Sequence, residues 1–226
     1  KSKGDAMSKV DYRLNAIVDG SLLDIGDLAE LAALAAGIGA TIIQYRDKDA
    51  ATRTMVERAA AIRAALAGSG VPLVVNDRID VALAADAQGV HLGRDDMDLG
   101  TARRLLGPDA IIGVTVKNEA DADMAIATPS DYACIGGVFE TLSKQNPDAP
   151  VGIEGFATLR RRIGAARPDL PVGAIAGIDV GRARDVVKAG ASGVAVISAI
   201  FRTADIAAAS RDLRRAVDDA LEGRSS

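Results

Sequence analysis

Eight segments of strand type, each followed by a segment of helix type, predict that this 226-residue chain closes into a single (β/α)8 (TIM) barrel. Two further observations support the prediction. The strand segments are near-continuous runs of Val, Ile and Ala, as expected of parallel strands covered on both faces, and no shift in composition marks a linker. Aromatic residues make up only 3% of a chain that is 49% apolar, so the core is built from small aliphatic side chains, an α/β signature more than a sandwich one. An open doubly wound sheet is the alternative. The count of eight favours closure, as does the recurrence of Gly-rich turns without one dominant phosphate fingerprint near the start. The barrel is expected over residues 9–226, with residues 1–8, ahead of and around Met7, read as a tag remnant or disordered leader.

The elements follow in order. Leu14-Asn15-Ala16-Ile17-Val18 is a short strand, and Asp19-Gly20-Ser21 leads into an Ala/Leu-rich helix over 26–36 that Gly37 and Gly39 can stop. A second strand, 40–46, precedes a helix over 51–67 closed by Gly68-Ser69-Gly70. The period then repeats: strand 72–76 with helix 78–86, strand 88–92 with helix 98–106, strand 110–115 with helix 118–127. Strand 131–136 runs into the longest irregular stretch of the chain before a helix over 154–166. Strand 172–175 with helix 180–189, and strand 193–197 with a last helix over 203–222, complete the set.

Composition narrows the partners. A net charge of −4 gives no electrostatic footprint for nucleic acid or an anionic membrane. No apolar run approaches the roughly 18 residues that span a bilayer. The single cysteine, Cys134, sits in an apolar run and is expected to be a buried, inert thiol, which suits a cytoplasmic location. An exterior rich in Ala is compatible with a homo-oligomer.

In a closed parallel barrel, function collects at the C-terminal ends of the strands. Strand 2 ends in Gln44-Tyr45-Arg46-Asp47-Lys48, where alternation points Gln44, Arg46 and Lys48 one way. An amide and two cations at one rim suit a polyanion, Arg46 gripping through two N–H groups and Lys48 acting as a point charge; salt bridges to nearby carboxylates are the other reading. Strands 3 and 4 bring Asn76-Asp77 and Asp96 to neighbouring positions, where Asp77 and Asp96 could share a hard cation such as Mg²⁺ or merely cap the following helices. His91, the lone histidine, is read as a structural side chain. Strand 5 offers the hydroxyl of Thr115. The loop after strand 6 carries Thr141, Ser143 and Lys144, which can wrap a phosphate, unless the loop is only a surface excursion. Small residues after strands 7 and 8, Gly177 and Ser198 foremost, let backbone N–H groups approach an anion. Two anion sites emerge, one metal-assisted around strands 2 to 4 and 6, the other a monophosphate cradle at strands 7 and 8.

An ordered set of stretches resembles the thiamin phosphate synthase (thiamin phosphate pyrophosphorylase) family: Gln44-x-Arg46-x-Lys48, Val75-Asn76-Asp77-Arg78, Gly89-Val90-His91-Leu92-Gly93-x-x-Asp96, Gly113-Val114-Thr115, Asp131-Tyr132 through Thr141-x-Ser143-Lys144, Ala174 to Ile178, and Gly190 to Ile200. Each is weak alone; their order is specific. The resemblance implies a transferase of thiamine biosynthesis that joins 4-amino-5-hydroxymethyl-2-methylpyrimidine diphosphate to 4-methyl-5-(2-phosphooxyethyl)thiazole through ionisation of the former. It implies Mg²⁺ held by Asp77 and Asp96, diphosphate held by Gln44, Arg46, Lys48, Asn76 and Lys144, and substrates lined by Thr115, Thr141 and Ser143. Gly177, Ile197 and Ser198 would hold the thiazole phosphate through backbone groups. Arg46, Lys48 and Lys144 would carry catalysis by stabilising charge on the departing diphosphate.

The chain departs from the family pattern at Gly137 and Glu140, where prolines are expected, at Ser143, where threonine is, and at Ala176, which replaces the first glycine of a pair. Two rivals remain: a thiazole tautomerase-like paralogue, which would have a histidine where Lys117 stands and lack the aspartates, and a non-catalytic barrel that binds thiamin phosphates.

Overall fold

The computed structural model describes residues 10–23, 27–141 and 149–225. Eight parallel strands close in sequence order: β1 (Leu14–Asp19), β2 (Ile42–Arg46), β3 (Leu73–Asn76), β4 (Gly89–Leu92), β5 (Ile111–Val116), β6 (Tyr132–Ile135), β7 (Val172–Ile175) and β8 (Gly193–Val196), with β8 pairing back onto β1. The helices between them are α1 (Leu28–Ile38), α2 (Thr52–Ala65), α3 (Ile79–Ala84), α4 (Leu99–Leu106), α5 (Glu119–Ala127), α6 (Gly152–Ala166) and α7 (Val180–Lys188). The expected closed barrel is thus the observed one. The expected leader, residues 1–8, lies outside the described residues. No described helix is long and apolar enough to cross a membrane.

Element ends differ from expectation by up to three residues, and two of the differences have a visible cause. A single helical turn, α8 (Ser198–Phe201), intervenes before the last helix, α9 (Ile206–Ser225). The chain leaves β8 at Val196, and the N–H groups of Ile200 and Phe201 turn back to the Ile197 carbonyl at 3.2 and 3.0 Å, which buries both side chains. Helix α6 begins at Gly152, two residues earlier than expected, because the Val151 and Gly152 N–H groups bond the carbonyls of Gly137 and Val138 at 2.9 and 3.0 Å.

Strand alternation sorts the core into two layers. Outward residues such as Val18, Ile43, Tyr45, Val75, Leu92, Val114 and Ile135 pack under the helices. Inward residues, Ile17, Ile42, Val74, Ile111, Tyr132, Cys134 and Ala195, join Val10 and Tyr12 from ahead of β1 to form a second cluster inside the barrel. Tyr12 and Tyr132 fill the N-terminal half of this interior, their ring centroids 4.8 Å apart. Room for two phenol rings comes from glycine at neighbouring inward positions: Gly113 faces the Tyr132 ring, and Gly173 faces the Tyr12 ring. Small beside large fills the tapered floor, so open space is left only above it.

A methyl group on Gly113 would fall inside the Tyr132 ring, so Gly113→Ala is expected to lower unfolding free energy by about 1–3 kcal/mol. Gly37 in α1 meets nothing within 4 Å, and Gly37→Ala should instead raise it by roughly 0.5–1 kcal/mol through helix propensity. Urea unfolding of the two variants checks both signs.

Candidate active site

Above the tyrosine floor lies a cavity of about 150 Å³ at the C-terminal end of the barrel. Its lining includes Gln44, Arg46, Asn76, Thr115, Thr141, Gly177, Ile197 and Ser198, eight residues singled out from sequence. Register explains the convergence. Gln44 pairs beside Val74 and Ile17, and Asn76 beside His91, so each is the inward residue near the end of its own strand.

The cations are held by carboxylates. Arg46 forms an ion pair with Asp19, a fully buried residue at the end of β1 whose carboxylate also accepts from the Ser21 N–H at 3.0 Å and its hydroxyl at 2.6 Å. Lys48 forms an ion pair with Asp77. Between them, Asp47 turns outward and accepts bonds from Tyr45, Arg58 and the N–H groups of Asp49 and Ala50. Burial works against its ionisation, but those donors prevail and hold the carboxyl below its ordinary value. The end of β2 is thereby fixed on both faces.

Asp77 and Asp96 do not cap helices. The residue at the start of α3 is Arg78, with no side-chain cap bond, and α4 is capped by Asp98, which accepts from the Thr101 N–H at 2.9 Å. Asp77 instead sits at φ +64°, a conformation few non-glycine residues adopt, held by its N–H bonding the His91 carbonyl at 2.9 Å. Asp96 accepts from the Gly93 N–H at 2.6 Å. Burial lifts its carboxyl above the ordinary value; the Gly93 N–H opposes the shift and the neighbouring Asp77 carboxylate adds to it. Two adjoining carboxylates under mutual repulsion, one of them covered by an ammonium, form a donor set that fits a small hard cation. Among the described residues no third His, Cys, Asp or Glu joins them, so a bound ion would take its remaining ligands from water or substrate.

The loop bearing Asp96 is anchored by Arg94, which makes two 2.9 Å bonds to the buried Asp121 carboxylate. Asp121 also accepts from the Lys117 N–H at 2.9 Å, tying this loop to the end of β5. Across the cavity, Ala176 and Gly177 have φ of +88° and +63° in succession, the sharp turn that exposes their backbone beside Ile197 and Ser198. Ser143 and Lys144 lie outside the described residues.

The comparisons with known proteins bear on what this arrangement is. Residues 14–200 match the model of a family described as thiamine monophosphate synthase. The chain belongs to that family. A protein of Agrobacterium fabrum named thiamine-phosphate synthase is 66% identical over 96% of this chain and 99% of its own length. Another of that name, from Chloroflexus aurantiacus, is 42% identical over 92% and 94%. Among solved structures, a thiamine phosphate pyrophosphorylase from Pyrococcus furiosus superposes with a TM-score of 0.81 at 35% identity, covering 94% of this chain and 98% of that one. A 3-hexulose-6-phosphate synthase at 21% identity and TM-score 0.61 shares the fold alone. Within this family the chain is an enzyme of the transferase class.

Against the synthase family pattern, Ala176 and Gly137 occupy positive-φ positions, at +88° and +67°, and Glu140 stands exposed at the loop. The site also includes residues that sequence reasoning passed over. His91 lines the cavity, its Nε2 2.8 Å from the Thr115 hydroxyl and its Nδ1 3.0 Å from the Tyr132 hydroxyl, so it fixes Thr115 from the floor. Inward parity with Asn76 was the available signal for it. Lys117 lines the cavity two residues beyond Thr115, on the same alternation, and Asp19 faces Arg46 in register. Cys134 is buried as expected but lies in the cavity wall, and burial pushes its thiol up to about 12.

At pH 8 such a thiol is roughly one part in ten thousand thiolate, so the native chain should react with a disulfide reagent at least about 100-fold more slowly than the urea-unfolded chain. Fast native reaction would mean an open wall. Ala176→Gly is expected to raise stability by about 0.5–1 kcal/mol, relief of the positive-φ strain exceeding the entropy cost of glycine; urea unfolding reads the sign.

Proposed function

We propose that the chain is a thiamine-phosphate synthase that condenses 4-amino-5-hydroxymethyl-2-methylpyrimidine diphosphate with 4-methyl-5-(2-phosphooxyethyl)thiazole, with Mg²⁺, releasing diphosphate. The observation that carries this reading is that one cavity has Gln44, Arg46 and Asn76 at one side and the Gly177, Ile197 and Ser198 backbone at the other. A diphosphate and a monophosphate can then be bound together, with the reacting atoms between them.

In this reading Gln44, Arg46, Lys48, Asn76 and Lys144 hold the diphosphate. Asp77 and Asp96 would hold Mg²⁺, which when bound would supply positive charge to the diphosphate oxygens. Lys48, paired with Asp77, would give up that partner for a phosphate oxygen of the substrate. The bond between the pyrimidine methylene carbon and the bridging oxygen breaks, and its electron pair leaves with the diphosphate, whose growing charge Arg46, Lys48 and Lys144 stabilise. The thiazole nitrogen, positioned by its phosphate at Gly177, Ile197 and Ser198, donates its lone pair to the methylene carbon and closes the new C–N bond. Thr115, Thr141 and Ser143 line the two rings. No protein nucleophile and no general base are required, since no proton is removed at the thiazole nitrogen.

The test is diphosphate release with and without Mg²⁺, omitting each substrate in turn. Release that needs Mg²⁺ and the pyrimidine diphosphate, with thiamin phosphate formed when the thiazole is present, is expected. Ligand binding without turnover would instead indicate a binding barrel or a tautomerase-like paralogue. Asp77→Asn and Asp96→Asn should each lower turnover by about 10²- to 10³-fold with an unchanged circular dichroism spectrum. Arg46→Ala should weaken the pyrimidine diphosphate far more than the thiazole phosphate; equal losses would refute the division of the cavity.

A further inference from the structure

The turn after β7 is held from outside the cavity by a set of contacts converging on Arg182. The Val138 and Phe139 N–H groups bond the carbonyls of Ile175 and Ala176 at 3.1 and 3.2 Å, extending the pairing of the sixth and seventh strands past their regular ends. The Arg182 guanidinium donates to the Gly177 carbonyl at 2.7 Å and lies over the Phe139 ring, 4.7 Å from its centroid. Its own backbone is fixed, since the Arg182 N–H bonds the Asp179 carboxylate that caps α7 at 2.8 Å. The fit is close: a Cβ on Gly177 would strike the Glu140 carbonyl and lie 2.9 Å from the Phe139 Cβ. Of the contacts that hold these two successive positive-φ residues, the Arg182 bond is the one made to the peptide between Gly177 and Ile178.

We propose that Arg182 is a positioning residue for the phosphate end of the cavity. By bonding the Gly177 carbonyl from outside the cavity and stacking on Phe139, it fixes the Gly177–Ile178 peptide and with it the direction of the Ile178 N–H, at the wall that faces a bound phosphate monoester. It also joins the stem of the loop that carries Thr141 to the same turn. This rests on the reading of the Gly177 side as the thiazole phosphate site. Arg182 does not line the cavity, and its side chain is 47% exposed, so replacing it alters orientation more than packing.

The experiment measures binding of 4-methyl-5-(2-phosphooxyethyl)thiazole by calorimetry, and the KM for each substrate, in the wild type, Arg182→Met, Arg182→Lys and Phe139→Leu. Arg182→Met should weaken the thiazole phosphate about 10-fold, as loss of one charge-assisted hydrogen bond does, with KM for the pyrimidine diphosphate and kcat within about twofold of wild type. Arg182→Lys keeps a donor and a cation and should fall between the two. Phe139→Leu, which removes only the ring under the guanidinium, should shift the same constant in the same direction and keeps the test open if Arg182→Met does not fold. Equal thiazole phosphate affinity in wild type and Arg182→Met, or equal losses for both substrates, would overturn the positioning role while leaving the functional reading intact. A wild type that does not bind the thiazole phosphate at all would overturn that reading and this one with it.

Discussion

Tyr12 and Tyr132, packed with centroids 4.8 Å apart inside the barrel, form the contact on which the geometry above depends. A closed ring of eight short strands has an interior just wide enough for side chains. If those side chains were uniformly aliphatic, the interior would be filled to the top or leave voids throughout. Two phenols set against glycines concentrate the volume at the N-terminal end and leave the C-terminal end open. The Tyr132 hydroxyl then reaches His91, and His91 reaches Thr115, so the floor also orients a hydroxyl in the cavity. Burial raises the Tyr132 phenol well above its ordinary value, so its hydroxyl keeps its proton.

The rim shows the complementary constraint. An anion site assembled from Arg46 and Lys48 would repel itself in a partly dehydrated barrel mouth, and two neighbouring aspartates would do the same. The fold offsets both by pairing Arg46 with Asp19 and Lys48 with Asp77. The two pairs are not equivalent. Asp19 is fully buried and also hydrogen-bonded by Ser21, so it anchors the guanidinium in place. Lys48 is about half exposed, and its partner sits in a rarely used backbone conformation at the very end of a strand, so this pair can exchange partners at small cost.

What the sequence made legible follows from which patterns are local. The eight-fold alternation of apolar runs and helical segments is local, and the closed barrel with its inward Gln44, Arg46, Asn76 and Thr115 could be read from it. The partners of those residues could not. Asp19 meets Arg46 only because β1 and β2 pair in a particular register, and Asp121 meets Arg94 only because the turn after β4 adjoins the start of α5. His91 is the structural side chain expected of a lone histidine in an apolar strand, and its place in the cavity wall depends on the same register. The turn at Ser198–Phe201 was missed because Val196-Ile197-Ser198-Ala199-Ile200 carries strand-type residues, and burial of Ile200 and Phe201 overrides that preference.

Ala176 shows how a local rule and a site can conflict. A residue at φ +88° is ordinarily glycine, because a Cβ makes this backbone conformation costly. The turn persists because its neighbours over-determine it: the ladder to Val138 and Phe139, the Arg182 bond to Gly177, and the Asp179 cap at the start of α7 all specify the same path. Strain of this kind survives only where surrounding contacts outweigh it. Among the described residues such strain is found at Asp77 and Ala176 at the cavity end and at Asp86, φ +52°, in a turn at the opposite end, so what sustains it at Ala176 is the set of contacts around this turn rather than its place at one end of the barrel.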